Sequence, residues 1–157
     1  MADADKLIKQ AEGLLTRLEE LLQRKAPATD WAASIAFRWR KHDGRAHIEP
    51  VRHVHRIALR DLQGIDAQKE LVERNTRQFV EGYPANNVLL TGARGTGKSS
   101  LIKALLNKYA PRGLRLIEVD KRDLVDLPDI VDLIGERPER FVLYCDDLSF
   151  DAGEPGF

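Results

Sequence analysis

Apolar residues are spaced in two different ways along this chain, and the change of spacing divides it into two parts. Over residues 5–24 they recur every three or four positions between charged and polar residues, which predicts an amphipathic helix. We interpret this helix as packing on its own domain, with a coiled-coil or partner-binding seam as the alternative. A second helix is predicted over about residues 29–41. It would carry Trp31, Ile35 and Trp39 on one face.

After the second helix, short apolar runs replace the long amphipathic pattern. Residues 46–59 are predicted to be extended. The next runs are continuous and bounded by turn residues, which is typical of buried strands. These runs are VLLT (88–91), LRLIEVD (114–120) and RFVLYC (140–145). Three helices are predicted around them, over residues 66–82, 98–109 and 127–135. Strands that alternate with helices in this way indicate an α/β fold with a parallel sheet.

A loop rich in glycine follows the first of these runs. Residues 92–99 read GARGTGKS, which fits the pattern G-x-x-x-x-G-K-[ST] between a predicted strand and a predicted helix. Glycine permits backbone conformations that point successive N–H groups into one concavity, and the helix adds its positive dipole end. Lys98 would contact the β- and γ-phosphates of a nucleotide, and Ser99 would supply a hydroxyl to Mg²⁺. The predicted phosphate-binding residues are Gly92, Ala93, Arg94, Gly95, Thr96, Gly97, Lys98, Ser99 and Ser100.

Two aspartates end the last apolar run, in FVLYCDD (141–147). A carboxylate at the tip of a buried strand, beside the glycine loop, would hold the water shell of magnesium. We assign this role to Asp146. Asp147 stands at a position that resembles the one where P-loop ATPases usually carry the glutamate that polarises the attacking water. This resemblance implies that Asp147 is the candidate catalytic group, together with Lys98 on the phosphates. One strand and one helix separate these aspartates from Ser99, which makes the pair more specific than an isolated Asp-Asp.

Together these motifs resemble the P-loop ATPases of the AAA+ superfamily. The stretch DLQGIDAQKELVERNTRQF (61–79) is similar to the turn and helix that precede the phosphate loop in AAA+ modules. This resemblance implies that the backbone at Gly64 and Ile65 contacts adenine. More narrowly, residues 50–151 resemble a bacterial ATP-binding family known as a domain of unknown function, number eight hundred and fifteen. The N-terminal part resembles that family more weakly.

The resemblance implies a P-loop NTPase parallel sheet, as a partial AAA+ core, after a helical N-terminal region. We expect three segments: an accessory region over 1–49, a nucleotide-binding domain over 50–150 and an unstructured tail over 151–157. AAA+ modules continue to a sensor strand, an arginine finger and a helical lid, and the sequence carries no motif for them. We therefore expect the AAA+ core to be truncated after FVLYCDD (141–147), which resembles the Walker B motif of these ATPases. The predicted strands at 88–91 and 140–145 would then face each other across an empty slot, where AAA+ sheets have the sensor strand.

Composition and charge add limits on location and partners. The chain has 157 residues, with 43% apolar and 32% charged residues and a formal net charge of zero, so total charge indicates no nucleic-acid or acidic-membrane partner. Cys145 is the single cysteine, which suits a reducing cytoplasm. No apolar run approaches the length of a membrane span, and the N-terminus lacks the pattern of a signal peptide.

Two other groups of residues could carry chemistry. His53 and His55 could form a metal pair, but we interpret them as exposed strand residues because no carboxylate or cysteine cluster completes a site. Residues 37–60 hold seven Lys/Arg and two Asp/Glu. We favour a solvated face paired with the acidic C-terminal half over a nucleic-acid surface. A homo-oligomer, or a protein partner held by the N-terminal region, is compatible with the sequence.

Three functions remain open at this point. The first is ATP binding with Mg²⁺, with hydrolysis by the complete AAA+-type protein and little by the isolated chain. The second is a nucleotide-sensing module without significant hydrolysis, which the aspartate at position 147 favours because AAA+ ATPases usually carry glutamate there. The third is a small-molecule kinase, against which the helix upstream of the glycine loop argues.

Overall fold

The computed structural model describes residues 9, 10, 12–15, 28–42 and 45–148, and these have an α/β architecture. A mixed sheet of four strands lies in the order β2-β1-β3-β4. The strands are β1 (Ala36–His42), β2 (Arg45–Pro50), β3 (Leu114–Glu118) and β4 (Arg140–Tyr144). The helices after β2 are α1 (Asp66–Val80), α2 (Lys98–Tyr109) and α3 (Leu127–Ile134), and short 3₁₀ turns cover Leu59–Asp61, Ala110–Arg112 and Lys121–Asp126. The three helices and the last two strands confirm the sequence prediction for those segments.

The direction of the strands fixes where a site can form. β1 runs parallel to β3 and β3 runs parallel to β4, whereas β2 is antiparallel to β1. The carboxyl ends of β1, β3 and β4 therefore meet at one edge of the sheet. Ligands of open α/β sheets bind outside that edge.

The helix predicted over residues 29–41 is wrong, because residues 28–35 form no helix and Ala36–His42 form β1. Phe37 and Trp39 are buried, whereas Arg38 and Arg40 between and after them are exposed. This alternation has the period of a strand. Trp39 lies opposite Ile48 of β2, so the pair fills the core from two neighbouring strands. The β1–β2 hairpin thus belongs to the same sheet as β3 and β4.

Two buried clusters cover the two faces of the sheet. Ala36 and Leu116 point to the face that α1 and α2 cover, whereas their neighbours Phe37 and Ile117 point to the face that α3 covers. The first cluster comprises Ala36, Val72, Leu101, Leu105, Leu106, Tyr109, Leu114 and Leu116. The second comprises Phe37, Trp39, Ile48, Ile117, Val119 and Ile130. The sheet is therefore a buried middle layer with helices on both sides.

The buried strand predicted at residues 88–91 is also wrong. This segment forms no strand, and Leu89 is 74% exposed. Leu90 is half-buried and packs against the first cluster. A strand is stabilised by backbone hydrogen bonds to a neighbour. Among the described residues, no such bonds join this segment to β4, so its apolar sequence alone does not make it a strand.

The predicted N-terminal helix lies mostly outside the described residues. Residues 9, 10 and 12–15 are helical, as expected, and the predicted tail at 151–157 lies outside the described part. Within the described ranges, no helix has the length and apolar character that a bilayer crossing requires.

Candidate functional site

The glycine loop, Gly92–Ser99, connects the segment 88–91 to α2 and lies mostly exposed. Gly95 and Gly97 adopt φ angles of +84° and +87°. A residue with a side chain is less stable in this left-handed region by about 1–2 kcal/mol. The loop conformation therefore explains why glycine stands at these two positions.

Lys98 is the first residue of α2, and its side chain turns back over the loop. Its ammonium donates hydrogen bonds to the carbonyl oxygens of Gly92, at 2.6 Å, and Ala93, at 2.9 Å. The hydroxyl of Thr96 donates to the same Ala93 oxygen at 2.8 Å. The positive charge thus lies over the loop backbone, beside the N–H groups that the first turn of a helix leaves without intrahelical partners.

Ser99 links the loop to the end of β4. Its hydroxyl donates to Asp146 Oδ2 at 2.9 Å, across 47 residues of sequence, and accepts a hydrogen bond from the Tyr144 hydroxyl at 3.0 Å. The helix start and the strand end are thus held together by side chains. The structure brings together the two predicted magnesium residues, Ser99 and Asp146.

The electrostatics of this group keep Asp146 ionised. Burial favours the neutral carboxyl, but the hydrogen bond from Ser99, the nearby Tyr144 hydroxyl and the backbone N–H of Asp147 outweigh it. The Lys98 ammonium acts in the same direction, so the pKa of this carboxyl lies below its usual value. Burial is the main reason that the pKa of Tyr144 rises to about 12. At neutral pH, Asp146 is a carboxylate and Tyr144 is a hydroxyl donor.

Tyr144 is the residue that the sequence analysis missed. It precedes Asp146 by two positions, and side chains two apart on a strand point to the same face. That spacing, in an apolar run ending beside a carboxylate, is a signal that could have found it.

Asp147 has an unusual backbone for a residue with a side chain, at φ +51°. Aspartate is one of the residues other than glycine that are enriched in this region. Here the backbone N–H of Asp147 donates to Asp146 Oδ1 at 3.0 Å. Both aspartates border an open groove of about 540 Å³ at the carboxyl edge of the sheet. Its other lining residues are Arg38, Trp39, Arg40, Glu118, Val119, Asp120 and Lys121.

The predicted adenine contacts, Gly64 and Ile65, lie in the turn before α1. Gly64 has φ +74°, and Ile65 is the residue that caps α1. Among the described residues, no hydrogen bond or ion pair joins either residue to the glycine loop. Of the other predicted residues, Arg94 is exposed on the loop and Ser100 is half-buried on α2.

The remaining candidates do not form a second site in the described part of the chain. His53 and His55 are exposed, and no group of three metal-ligating residues was found among the described residues. Burial, followed by the charges of Asp120 and Asp146, raises the pKa of Cys145 and disfavours a thiolate.

The basic stretch is tied to the acidic half of the chain by ion pairs. Arg38 Nε lies 2.8 Å from Glu118 Oε2, and Lys41 pairs with Asp126. Trp39 Nε1 also donates to Asp126, at 2.9 Å. Several charges of this stretch are therefore engaged within the fold.

Gly97→Ala tests the loop conformation. No atom lies within 4 Å of the added methyl, so the variant isolates the cost of the φ angle of +87°. We expect it to lower the free energy of unfolding by about 1–2 kcal/mol, measured by urea denaturation. Gly13→Ala adds the same methyl to a helical residue in open space and is expected to be neutral or slightly stabilising. Equal stability of Gly97→Ala and wild type would show that the loop does not need this conformation.

Comparison with known proteins assigns the chain to a family. No curated protein and no solved structure matches the chain. A family match covers residues 32–157, which is most of the chain and includes the sheet, the glycine loop and both aspartates. The chain therefore belongs to the family described as protein of unknown function, DUF815.

Proposed function

We propose that this chain binds a nucleoside di- or triphosphate, ATP or ADP, with Mg²⁺ at the glycine loop. The observation that carries the proposal is the contact between Ser99 and Asp146. These two residues belong to different motifs and are 47 residues apart in the sequence. They meet through the hydroxyl and the carboxylate that a magnesium site would need. In an ordinary glycine-rich turn before a helix, nothing requires a hydroxyl to donate a hydrogen bond to a carboxylate at the end of a distant strand.

The residues present fit the phosphates. The positive φ angles of Gly95 and Gly97 suit a backbone whose N–H groups line one concavity. The start of α2 adds free N–H groups and the positive end of a twelve-residue helix. Lys98 would exchange its two loop carbonyl partners for phosphate oxygens, which form stronger, charge-assisted hydrogen bonds. In this proposal Gly92–Ser100 surround the phosphates, and Gly64 and Ile65 lie near the adenine.

The residues also fit magnesium. Mg²⁺ prefers oxygen ligands and is often held by one or two carboxylates together with substrate phosphates and water. Ser99 Oγ and the ionised Asp146 supply such oxygens. When bound, the metal neutralises charge on the phosphates. The protein's part is to hold the hydroxyl and the carboxylate in fixed positions at the sheet edge.

Hydrolysis by the complete AAA+-type protein is part of the proposal. Asp147 borders the groove beside Asp146 and is the candidate that orients water. Lys98 would stabilise charge on the transferred phosphate. We assign this activity to an assembled, cytoplasmic form, in which a second copy or a protein partner supplies further groups.

A nucleotide-sensing module is the second candidate function. The aspartate side chain at position 147, one methylene shorter than glutamate, favours this alternative. In that case the same site would bind nucleotide, and binding would change the recruitment of a partner instead of driving turnover.

Calorimetric titration of the purified chain tests the proposal. We expect ATP and ADP to bind with one site per chain, and Mg²⁺ to increase the affinity. Phosphate release in the presence and absence of added partner separates hydrolysis from sensing, and phosphate transfer to a small acceptor would indicate a kinase. Absence of nucleotide binding at millimolar concentration, with the chain folded, would refute the proposal.

A further inference from the structure

Three side chains form a chain of hydrogen bonds at the end of β4. The Tyr144 hydroxyl donates to Ser99 Oγ at 3.0 Å, and Ser99 Oγ donates to Asp146 Oδ2 at 2.9 Å. A serine hydroxyl has one proton and two lone pairs. One lone pair accepts from Tyr144 and the proton goes to Asp146, so one lone pair of Ser99 remains for a further partner.

This arrangement determines the direction of that last lone pair. A serine hydroxyl with a single partner can rotate about its C–O bond, whereas one with both a donor and an acceptor in place is fixed. If Asp146 were its only partner, a single hydrogen bond would orient the Ser99 hydroxyl. Tyr144 supplies the second point of attachment.

The position of Tyr144 is itself well determined. It is the last residue of β4 and is paired in register with Glu118 of β3. Its ring is half-buried and packs against the first cluster, between the sheet and α2. A hydroxyl on a rigid ring at the end of a paired strand is a stable reference point for Ser99 at the start of α2.

We infer that Tyr144 is a positioning residue that presents Ser99 Oγ to Mg²⁺. This inference rests on the proposed function, because it concerns the metal that accompanies the nucleotide. Tyr144 acts through Ser99 and does not itself contact the nucleotide. Its loss should weaken the contribution of Mg²⁺ to nucleotide affinity and leave the binding of metal-free nucleotide unchanged.

Tyr144→Phe tests the inference, since it removes one hydroxyl and keeps the ring. ATP affinity is measured by calorimetry with excess Mg²⁺ and again with a chelator, and the ratio of the two affinities reports the metal contribution. We expect that ratio to fall about three- to tenfold, as the loss of one hydrogen bond supports. The affinity for metal-free ATP is expected to stay within about twofold of wild type. Such metal-dependent losses are typical of residues that orient a metal ligand.

Two controls separate positioning from a general structural effect. Tyr109 belongs to the first cluster, against which Tyr144 also packs, but its hydroxyl donates to Glu73, at 3.3 Å. Tyr109→Phe removes that hydroxyl and is expected to leave the ratio of affinities unchanged. Ser99→Ala removes the group through which Tyr144 acts. In the Ser99→Ala background, adding Tyr144→Phe should therefore cause no further loss of the magnesium contribution.

The outcomes are distinguishable. An unchanged ratio in Tyr144→Phe, or an equal loss with and without Mg²⁺, would overturn the role of Tyr144 and leave the proposed function standing. A further loss in the Ser99→Ala background would also overturn it. If the wild-type chain binds no nucleotide, the proposed function fails and the inference fails with it.

Discussion

Lys98→Ala is expected to weaken the binding of Mg·ATP by at least about 100-fold. The ammonium of Lys98 already donates two hydrogen bonds to loop carbonyls, so the side chain is long enough to reach a phosphate held by the loop. Two bonds to charged phosphate oxygens contribute roughly 3 kcal/mol or more, which corresponds to a factor above 100 in affinity. Calorimetry at constant ionic strength measures the loss, and unfolding midpoints of both proteins show that the fold is retained.

Lys103→Ala is the matched control for this variant. It removes the same charge from the same helix, outside the glycine loop, and is expected to leave affinity within about twofold of wild type because screening weakens charges at a distance. Equal nucleotide affinity in Lys98→Ala and wild type would contradict the assignment of the loop.

Asp146→Asn is expected to remove most of the magnesium contribution to ATP affinity, a loss of about 10- to 100-fold. The amide has nearly the same shape, so the substitution chiefly removes the negative charge that attracts the cation. ATP without metal should bind at least as well as to wild type, because a negative charge near the phosphates is gone. Titrations with Mg²⁺ and with a chelator give both quantities.

Asp147→Asn provides the comparison that assigns the two carboxylates. Among the described residues, Ser99 donates its hydrogen bond to Asp146, and no hydrogen bond joins it to Asp147. We therefore expect the Asp147 variant to keep the magnesium dependence and to lose turnover in any assembly that hydrolyses ATP. The opposite pattern, with metal dependence lost in Asp147→Asn and kept in Asp146→Asn, would reverse the assignment.

The sequence predicted α2 and the strand that ends at Asp146 because each carries a strong local signal. The run after Gly97 has helical spacing and begins at the glycine motif, and the helix is observed at Lys98–Tyr109 as predicted. β4 is a short apolar run between polar residues. The pairing of Ser99 with Asp146 could also be anticipated, since a motif of this kind places both at the carboxyl edge of a parallel sheet.

The errors lie where tertiary pairing outweighed a local pattern. Trp31, Ile35 and Trp39 have helical spacing, but Trp39 and its neighbour Phe37 enter the core as alternate residues of a strand. At 88–91 the apolar run predicted a strand, but a strand also needs a backbone partner, which the described sheet does not provide. The local sequence shows neither which strand pairs with β1 nor that 88–91 has no strand beside it in the described part of the chain.

A crystal structure of the chain with Mg²⁺ and ADP, or a non-hydrolysable ATP analogue, tests the central claim most directly. We expect the β-phosphate to lie on the backbone N–H groups of the glycine loop, with Lys98 released from the carbonyls of Gly92 and Ala93. Mg²⁺ should be bound by Ser99 Oγ, with Asp146 on its water shell. Nucleotide bound elsewhere, for example in the groove beside Trp39 and Lys121, with Lys98 still on its loop carbonyls, would contradict the claim.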